Sequence, residues 1–414
     1  MGRTARDNRD RPHPQPVERI ELSEDHLRFR VIAVVVFLVL GLGTLGYSLL
    51  RLLGSNQGWE TIEVNNGSLG DVSKEFVLQY RLGAADLSPT AEKKALTLVY
   101  SDAVRRAWLL FYTAEKSDEV IGLTALNERP NEELTIDQAL YDALERVTKG
   151  GNRAIYLGPL YGHYDSLFAS QSDQEATEVD PLRNPAVKEE IERLVSFASD
   201  PAMIELRFLG DCRVLLSVSA EYQAYLKESW EETYLDFGWM RNAFIADYIA
   251  DRLTEQGLTH GVLSSQDGFV RNLYDGKEEA SYTLLRRSGN EIQGAGTMKY
   301  SGARSLLFFH DYPLSEAQEA YSYYCYEDGT VRAPYVDPAD GMLKAAAHEM
   351  LLYTDAEHGS LGCSELLMEA MQCYVGEKVM TPQLASLESR GIMYLLFDGE
   401  KILTNDVNLK YEPE

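Results

Sequence analysis

The sequence predicts an α+β fold carried behind one N-terminal membrane helix, and three observations point there. Strand-like runs come as neighbouring pairs joined by tight turns, and amphipathic helical patterns with cap residues stand between the pairs. One stretch of twenty residues near the N-terminus carries no carboxylate or amine. Paired strands separated by helices favour antiparallel hairpins over a parallel βαβ array. With 414 residues, 45% of them hydrophobic, the chain can bury a substantial core.

Residues 1–28 are rich in Arg, Asp, Pro and Asn and poor in apolar side chains, the composition of a disordered cytoplasmic arm. The membrane segment, taken with its flanks as 29–53, centres on Val31–Leu50. At about 1.5 Å per residue it covers roughly 30 Å, the thickness of a bilayer core. Arg28 and Arg30 flank one end and Arg51 the other, while Glu60, Glu63 and Asp71 follow before the next base, Lys74. Basic residues in short loops stay in the cytoplasm, so the N-terminus is expected inside and the remainder outside. A cleaved signal peptide has a shorter apolar run and small residues at its cleavage site. Leu49-Leu50-Arg51-Leu52-Leu53 offers none, and no cysteine follows to carry a lipid, so the segment reads as a retained signal anchor.

Seven of the 39 bases and six of the 65 acids lie in residues 1–30, which leaves 32 bases against 59 acids beyond. So acidic a domain argues against nucleic acid and anionic headgroups as partners; the membrane is met through the one helix. Cys212, Cys325, Cys363 and Cys373 all lie outside, too few for a disulfide scaffold and with no C-x-x-C, and are read as structural. Cys363 and Cys373 fall on one predicted helix, about 15 Å apart, too far to pair with each other.

Residues 54–71 read as a juxtamembrane linker, and 72–408 as the outer domain, beginning with a strand near Phe76–Leu82. Ser88-Pro89 caps a helix on Leu96, Val99, Ala103, Ala107 and Leu110. Thr135 and Gln138 form a capping box before Ile136, Leu140, Leu144 and Val147. Asn184-Pro185 opens a helix on Val187, Ile191, Leu194 and Ala198. Ile204, Leu206 and Phe208, then Gly210-Asp211, then Val214, Leu216 and Val218 make a hairpin. A helix on Phe244, Ile245, Tyr248, Ile249 and Leu253 ends at Gly257, and another around Ser364–Tyr374 stops at Gly376. Ile392–Phe397 and Lys401–Thr404 close the domain as a second hairpin.

Few local motifs carry chemistry. Gly41-Leu-Gly-Thr-Leu-Gly46 has the letters of a dinucleotide fingerprint but lies inside the membrane span, where no strand precedes it. His348-Glu349 lacks the second histidine of a zinc motif, and the other histidines are scattered. Asp337-Pro-Ala-Asp340-Gly341 starts like a calcium loop, but Ala339 replaces a ligand and no glutamate falls at position twelve.

The order of segments is more informative. Ser117 to Leu126-Asn127, Gly158-Pro159-Leu160, Asp236-Phe237-Gly238 with Phe244 and Asp247, Asp337-Pro338 with Gly341, and the last helix and hairpin follow one another with family-like spacing. Over about residues 70–406 the chain resembles the ApbE-type FAD:protein FMN transferases. The resemblance implies their T-fold-like architecture of antiparallel sheets and helices around a flavin cleft, and an extracytoplasmic setting with envelope proteins as partners. It places Asn127, Asp236, Gly238, Asn242, Asp247 and Gly268 at cofactor-binding positions, and Glu365 and Glu369 at metal positions.

The departures from the family pattern bear on the chemistry. Asn242 stands for a lysine and Trp239 for a glycine, where a large ring blocks the close approach of backbone to ligand. Ala154 and Tyr156 replace an aspartate and a threonine before Gly158. Ser265-Gln266-Asp267-Gly268 puts a carboxylate where a diphosphate would lie, and like charges there repel. Pro334 replaces a histidine beside Asp337 and has no proton to exchange. Glu365 and Glu369 stand for an aspartate and a threonine. Transfer from FAD attacks a diphosphate and needs magnesium and positioned donors. The sequence therefore reads as a catalytically degenerate binding or scaffold domain, with no residue assigned as catalytic. The alternative is an active, divergent magnesium-dependent FAD:protein FMN transferase that attaches FMN to a threonine of envelope proteins. FAD and Mg2+ are the implied cofactors if activity is retained, and none otherwise.

Overall fold

The structure is a computed structural model describing residues 58–64, 72–83, 88–113, 117, 119–230, 233–274, 276, 279–288, 291–354, 361–398 and 401–413, all within one compact unit, Asn56–Glu414. The arm 1–28 and the span 29–53 lie outside the described residues. Among the described residues no helix is long and apolar enough to cross a membrane.

Eight strands form the central sheet: β1 Gly58–Ile62, β2 Phe76–Leu82, β3 Gly261–Ser265, β4 Phe269–Asn272, β5 Arg304–His310, β6 Glu349–Thr354, β7 Ile392–Asp398 and β8 Lys401–Thr404. They lie side by side in that order and every neighbouring pair is antiparallel, so the sheet is a meander. The α+β reading with antiparallel hairpins therefore holds. Most helices are inserted between β2 and β3, together with a small sheet of Glu133–Thr135, Arg213–Val218 and Ile204–Gly210.

Both faces of the central sheet are covered. On β5, Leu307 and Phe309 enter a large core with helices Pro89–Phe111, Arg241–Glu255 and Cys363–Tyr374, while Leu306 and Phe308 enter a second core. The second core is closed by Leu284, Met298 and Tyr300 from a three-stranded sheet of Glu279–Ser288, Glu291–Ser301 and Lys410–Pro413. On β6, Met350 and Leu352 face one core and Leu351 and Tyr353 the other. A strand buried on both faces is an unbroken apolar run with no period of two, which is why these central strands carry no alternating signal.

Most predicted elements are present at the predicted places. Ser88 Oγ accepts the Ala91 N–H and Asn184 Oδ1 the Ala186 N–H, capping helices Pro89–Phe111 and Pro185–Ser199. The 204–218 hairpin turns through Gly210, Asp211 and Cys212, all at positive φ. Three readings change. The cap before helix Gln138–Thr148 is Asp137, whose Oδ1 accepts the Ala139 N–H at 2.9 Å, because Thr135 is pinned opposite Arg213 in the small sheet. The linker 54–71 contains β1, a polar edge strand with only Ile62 buried and so no apolar pattern to announce it. The domain also runs past 408, since Lys410–Pro413 pairs with Gly296–Lys299. Cys363 and Cys373 share a helix as expected, and all four cysteines are free thiols.

Candidate functional site

The predicted cofactor positions gather around the start of helix Arg241–Glu255. Asp236 sits just before it, its backbone N–H donating to Ile155 O at 3.0 Å. Its carboxylate accepts the Gly238 N–H at 2.7 Å and Arg241 Nη2 at 2.8 Å. The Arg241 guanidinium lies 4.2 Å from the centre of the Tyr112 ring. Burial pulls the Arg241 pKa down, but Asp236, Tyr112 and Glu75 outweigh it and hold the guanidinium charged well above its ordinary value. Asn127 reaches no open space: its amide clamps the Leu235 backbone, donating to the carbonyl at 2.9 Å and accepting the N–H at 2.8 Å. Gly238, at φ +54°, allows the chain to pass the Tyr161 ring, which a Cβ would meet at 2.6 Å.

One turn further on, Asn242 is wedged between two acids. Its Nδ2 donates to Glu75 Oε2 at 2.9 Å and to Asp267 Oδ2 at 3.0 Å. Tyr112 OH lies 3.0 Å from each Glu75 carboxylate oxygen and donates to that group. Asp267 takes a second bond from Ser265 Oγ. Burial, with the Glu75 carboxylate adding to it, pushes the Asp267 carboxyl up to about 7. Gly268 has φ +95° and lets the 265–268 turn approach β5; a Cβ there would stand 2.3 Å from Phe308 O. The close approach to Phe308 by itself requires a glycine at this position. The Trp239 ring packs edge-on against Tyr335 at 5.2 Å and Phe309 at 6.3 Å between centroids. At this position the ring is part of the aromatic packing of Phe309 and Tyr335.

Asp247 lies on the same helix and is buried. Its oxygens accept Arg271 Nη1 at 2.5 Å, the Cys363 N–H at 2.7 Å, the Ser364 N–H at 2.8 Å and Ser364 Oγ at 2.6 Å, with Arg146 at 3.9 Å. A carboxylate at the first N–H groups of helix Cys363–Tyr374 satisfies donors that the helix cannot pair itself. Every lone-pair direction of Asp247 is thus committed to protein.

The two predicted metal positions are on that helix and are also taken. Glu365 accepts the Gly362 N–H at 3.0 Å and faces Arg146 at 3.5 Å; Glu369 pairs with Arg390. Among the described residues no group of three or more His, Cys, Asp or Glu is arranged to hold a metal ion. The residues present do not fit a magnesium site. Asp337 is separate again, its carboxylate 2.9 Å from Lys344 Nζ, which also reaches Asp340 at 2.6 Å. This ammonium does the neutralising that a calcium ion would do in the loop it resembles. Pro334 is half-buried, next to Tyr335, whose hydroxyl donates to His310 O at 3.0 Å.

The structure therefore joins Asp236, Gly238 and Asn242 in one polar cluster, with Gly268 at its border. Asp247 and Glu365 join a second through Arg146, and Asn127, Glu369 and Asp337 stand apart. Sequence reading missed Glu75, Tyr112, Arg241, Arg146 and Arg271, the partners that close both clusters. Nothing local marks them: Glu75 is one of 59 acids and reaches Asn242 from 167 residues away. Two cavities of about 350 Å³ lie elsewhere, one beside Tyr300, Arg304 and Tyr353 and one beside Ile62, Phe76 and Tyr100.

No family model matches the sequence, and no curated protein matches it. Solved structures do match the fold. The ApbE protein of Thermotoga maritima superposes with a TM-score of 0.50 at 13% identity, over 85% of this chain and 97% of that one. The flavin transferase ApbE of Vibrio cholerae gives 0.50 at 14% identity, over 82% and 93%. At such identities the likeness is one of architecture, and on that ground the chain has an ApbE-like fold, divergent in sequence from the flavin transferases that share it.

Proposed function

We propose that this is a catalytically degenerate flavin-transferase-like domain, held at the outer face of the membrane by the 31–50 segment, that works by binding envelope proteins rather than by transferring flavin. One observation carries the reading: the side chains at the family's cofactor and metal positions are bound to neighbouring side chains and to backbone. Asp247 spends its carboxylate on Arg271 and on the start of helix Cys363–Tyr374. Asn242, in the place of a lysine, separates two carboxylates instead of offering a cation to a phosphate. Trp239 stands among Phe309 and Tyr335 where a glycine would leave room. A developing negative charge would meet Asp267 and Glu75 rather than preorganised donors. The uncharged span and its flanking arginines support the membrane orientation.

Two readouts on the full chain test this together. In sealed right-side-out vesicles an added protease digests the domain, and FAD with magnesium leaves no flavin absorbance on the purified protein and no shift in its melting temperature. Protection from the protease would refute the orientation, and a magnesium-dependent shift with bound flavin would refute the degenerate site.

A further inference from the structure

Asp267 and Glu75 converge on a single amide. Both carboxylates bond Asn242 Nδ2, at 3.0 and 2.9 Å, so the bonded oxygens are held within about 6 Å of each other. Asn242 Oδ1 is buried and makes no hydrogen bond. A neutral amide spaces two like charges without cancelling either.

The other groups around Asp267 offset these charges only in part. Arg241, from the same helix as Asn242, bonds Asp236 and is also drawn to the Glu75 charge. Tyr112, from the end of helix Pro89–Phe111, bonds Glu75. Ser265 donates to Asp267 from its own turn. Tyr323 and Tyr335, close enough to feel the Asp267 charge, are phenols whose own titration burial pushes upward.

The same place is a mechanical seam. The Gln266 N–H donates to Glu75 O at 2.9 Å and Gln266 Nε2 to Lys74 O at 2.6 Å, stitching the 265–268 turn to the Val72–Glu75 turn that leads into β2. Gln318 Nε2 donates in turn to Gln266 O, which adds helix Glu316–Ser322 to the seam.

We propose that Glu75, Asp267 and Asn242 form a proton-operated latch. A proton on Asp267 closes the Val72–Glu75 turn onto the 265–268 turn, and its loss loosens that seam. Such a latch regulates how firmly the entry to β2 is seated in the domain, and it responds to the acidity of the compartment the domain faces.

The direction follows from linkage. Burial and the Glu75 carboxylate move the Asp267 carboxyl from its ordinary 3.8 up to about 7. Between those values the folded state holds a proton that the unfolded chain has released. The contribution is fully present at the acid end and is lost as pH rises through about 7.

The latch stands whether or not flavin binds, so this test and the FAD test fail separately. In the full chain, hydrogen exchange at the amides of residues 72–76 and at Gln266 is measured at pH 5.5 and 8.5, corrected for intrinsic rates. The wild type is expected to open at least tenfold more often at pH 8.5. Asp267→Asn is expected to remove the pH dependence. Asn242→Lys, which sets an ammonium between the two acids, is expected to keep protection high at both pH values. Equal corrected opening of the wild type at both pH values overturns the latch without recourse to any variant. So does an Asp267→Asn protein that keeps the wild-type pH dependence.

Discussion

Replacing Asp247 with alanine is expected to destabilise the domain by about 3–5 kcal/mol, the usual cost of removing one partner from a buried ion pair. Arg271, itself largely buried, loses the carboxylate 2.5 Å away, and the Cys363 and Ser364 N–H groups lose their acceptor at the start of a helix. Asp247→Asn keeps the shape and one acceptor, so it should cost less than the alanine. Urea denaturation of the full chain checks both: the midpoint falls and the slope stays the same. A loss below about 1 kcal/mol for the alanine variant would mean that Asp247 is not a structural anchor and is free for another task.

The second large effect is at Trp239. Changing it to glycine, the residue found in the family pattern, is expected to cost about 3 kcal/mol. The figure is at the low end for loss of a large core aromatic because the ring is half-buried. A smaller part of the cost comes from the backbone freedom that glycine adds. The ring contacts with Tyr335 and Phe309 are lost. The variant should still fail to hold FAD, since Asp267 and Asn242 keep their places. A Trp239→Gly protein as stable as wild type would show that the ring is not a packing element, and one that binds FAD would show that it alone closes the cleft.

Local physics made part of this molecule readable. Ser88-Pro89, Asn184-Pro185 and Gly257 announce helix ends because caps and breakers act within a turn of where they stand. The 204–218 hairpin is readable because one face of each strand is buried and the other is not. The central strands were hidden by burial on both faces, as in Leu306-Leu307-Phe308-Phe309, where adjacent residues enter different cores. β1 was hidden for the opposite reason, having almost no buried side chain.

At the candidate site the positions were legible and their occupancy was not. Segment order located Asp236, Asn242 and Asp247 near one another, and all three lie at or on one helix. That Asn242 would meet Glu75, that Asp247 would meet Arg271, and that Glu365 and Glu369 would each face an arginine are long-range pairings that leave no trace in spacing. Gly268 matched a pattern associated with a ligand, yet its conformation answers to Phe308.

On the proposed reading the domain keeps the scaffold without the transfer chemistry. Incubating the full chain with FAD, magnesium and a threonine-bearing target peptide, then weighing the peptide by mass spectrometry, tests it most directly. A peptide of unchanged mass is expected at every pH from 5.5 to 8.5. A peptide heavier by one FMN, formed only with magnesium, would contradict it.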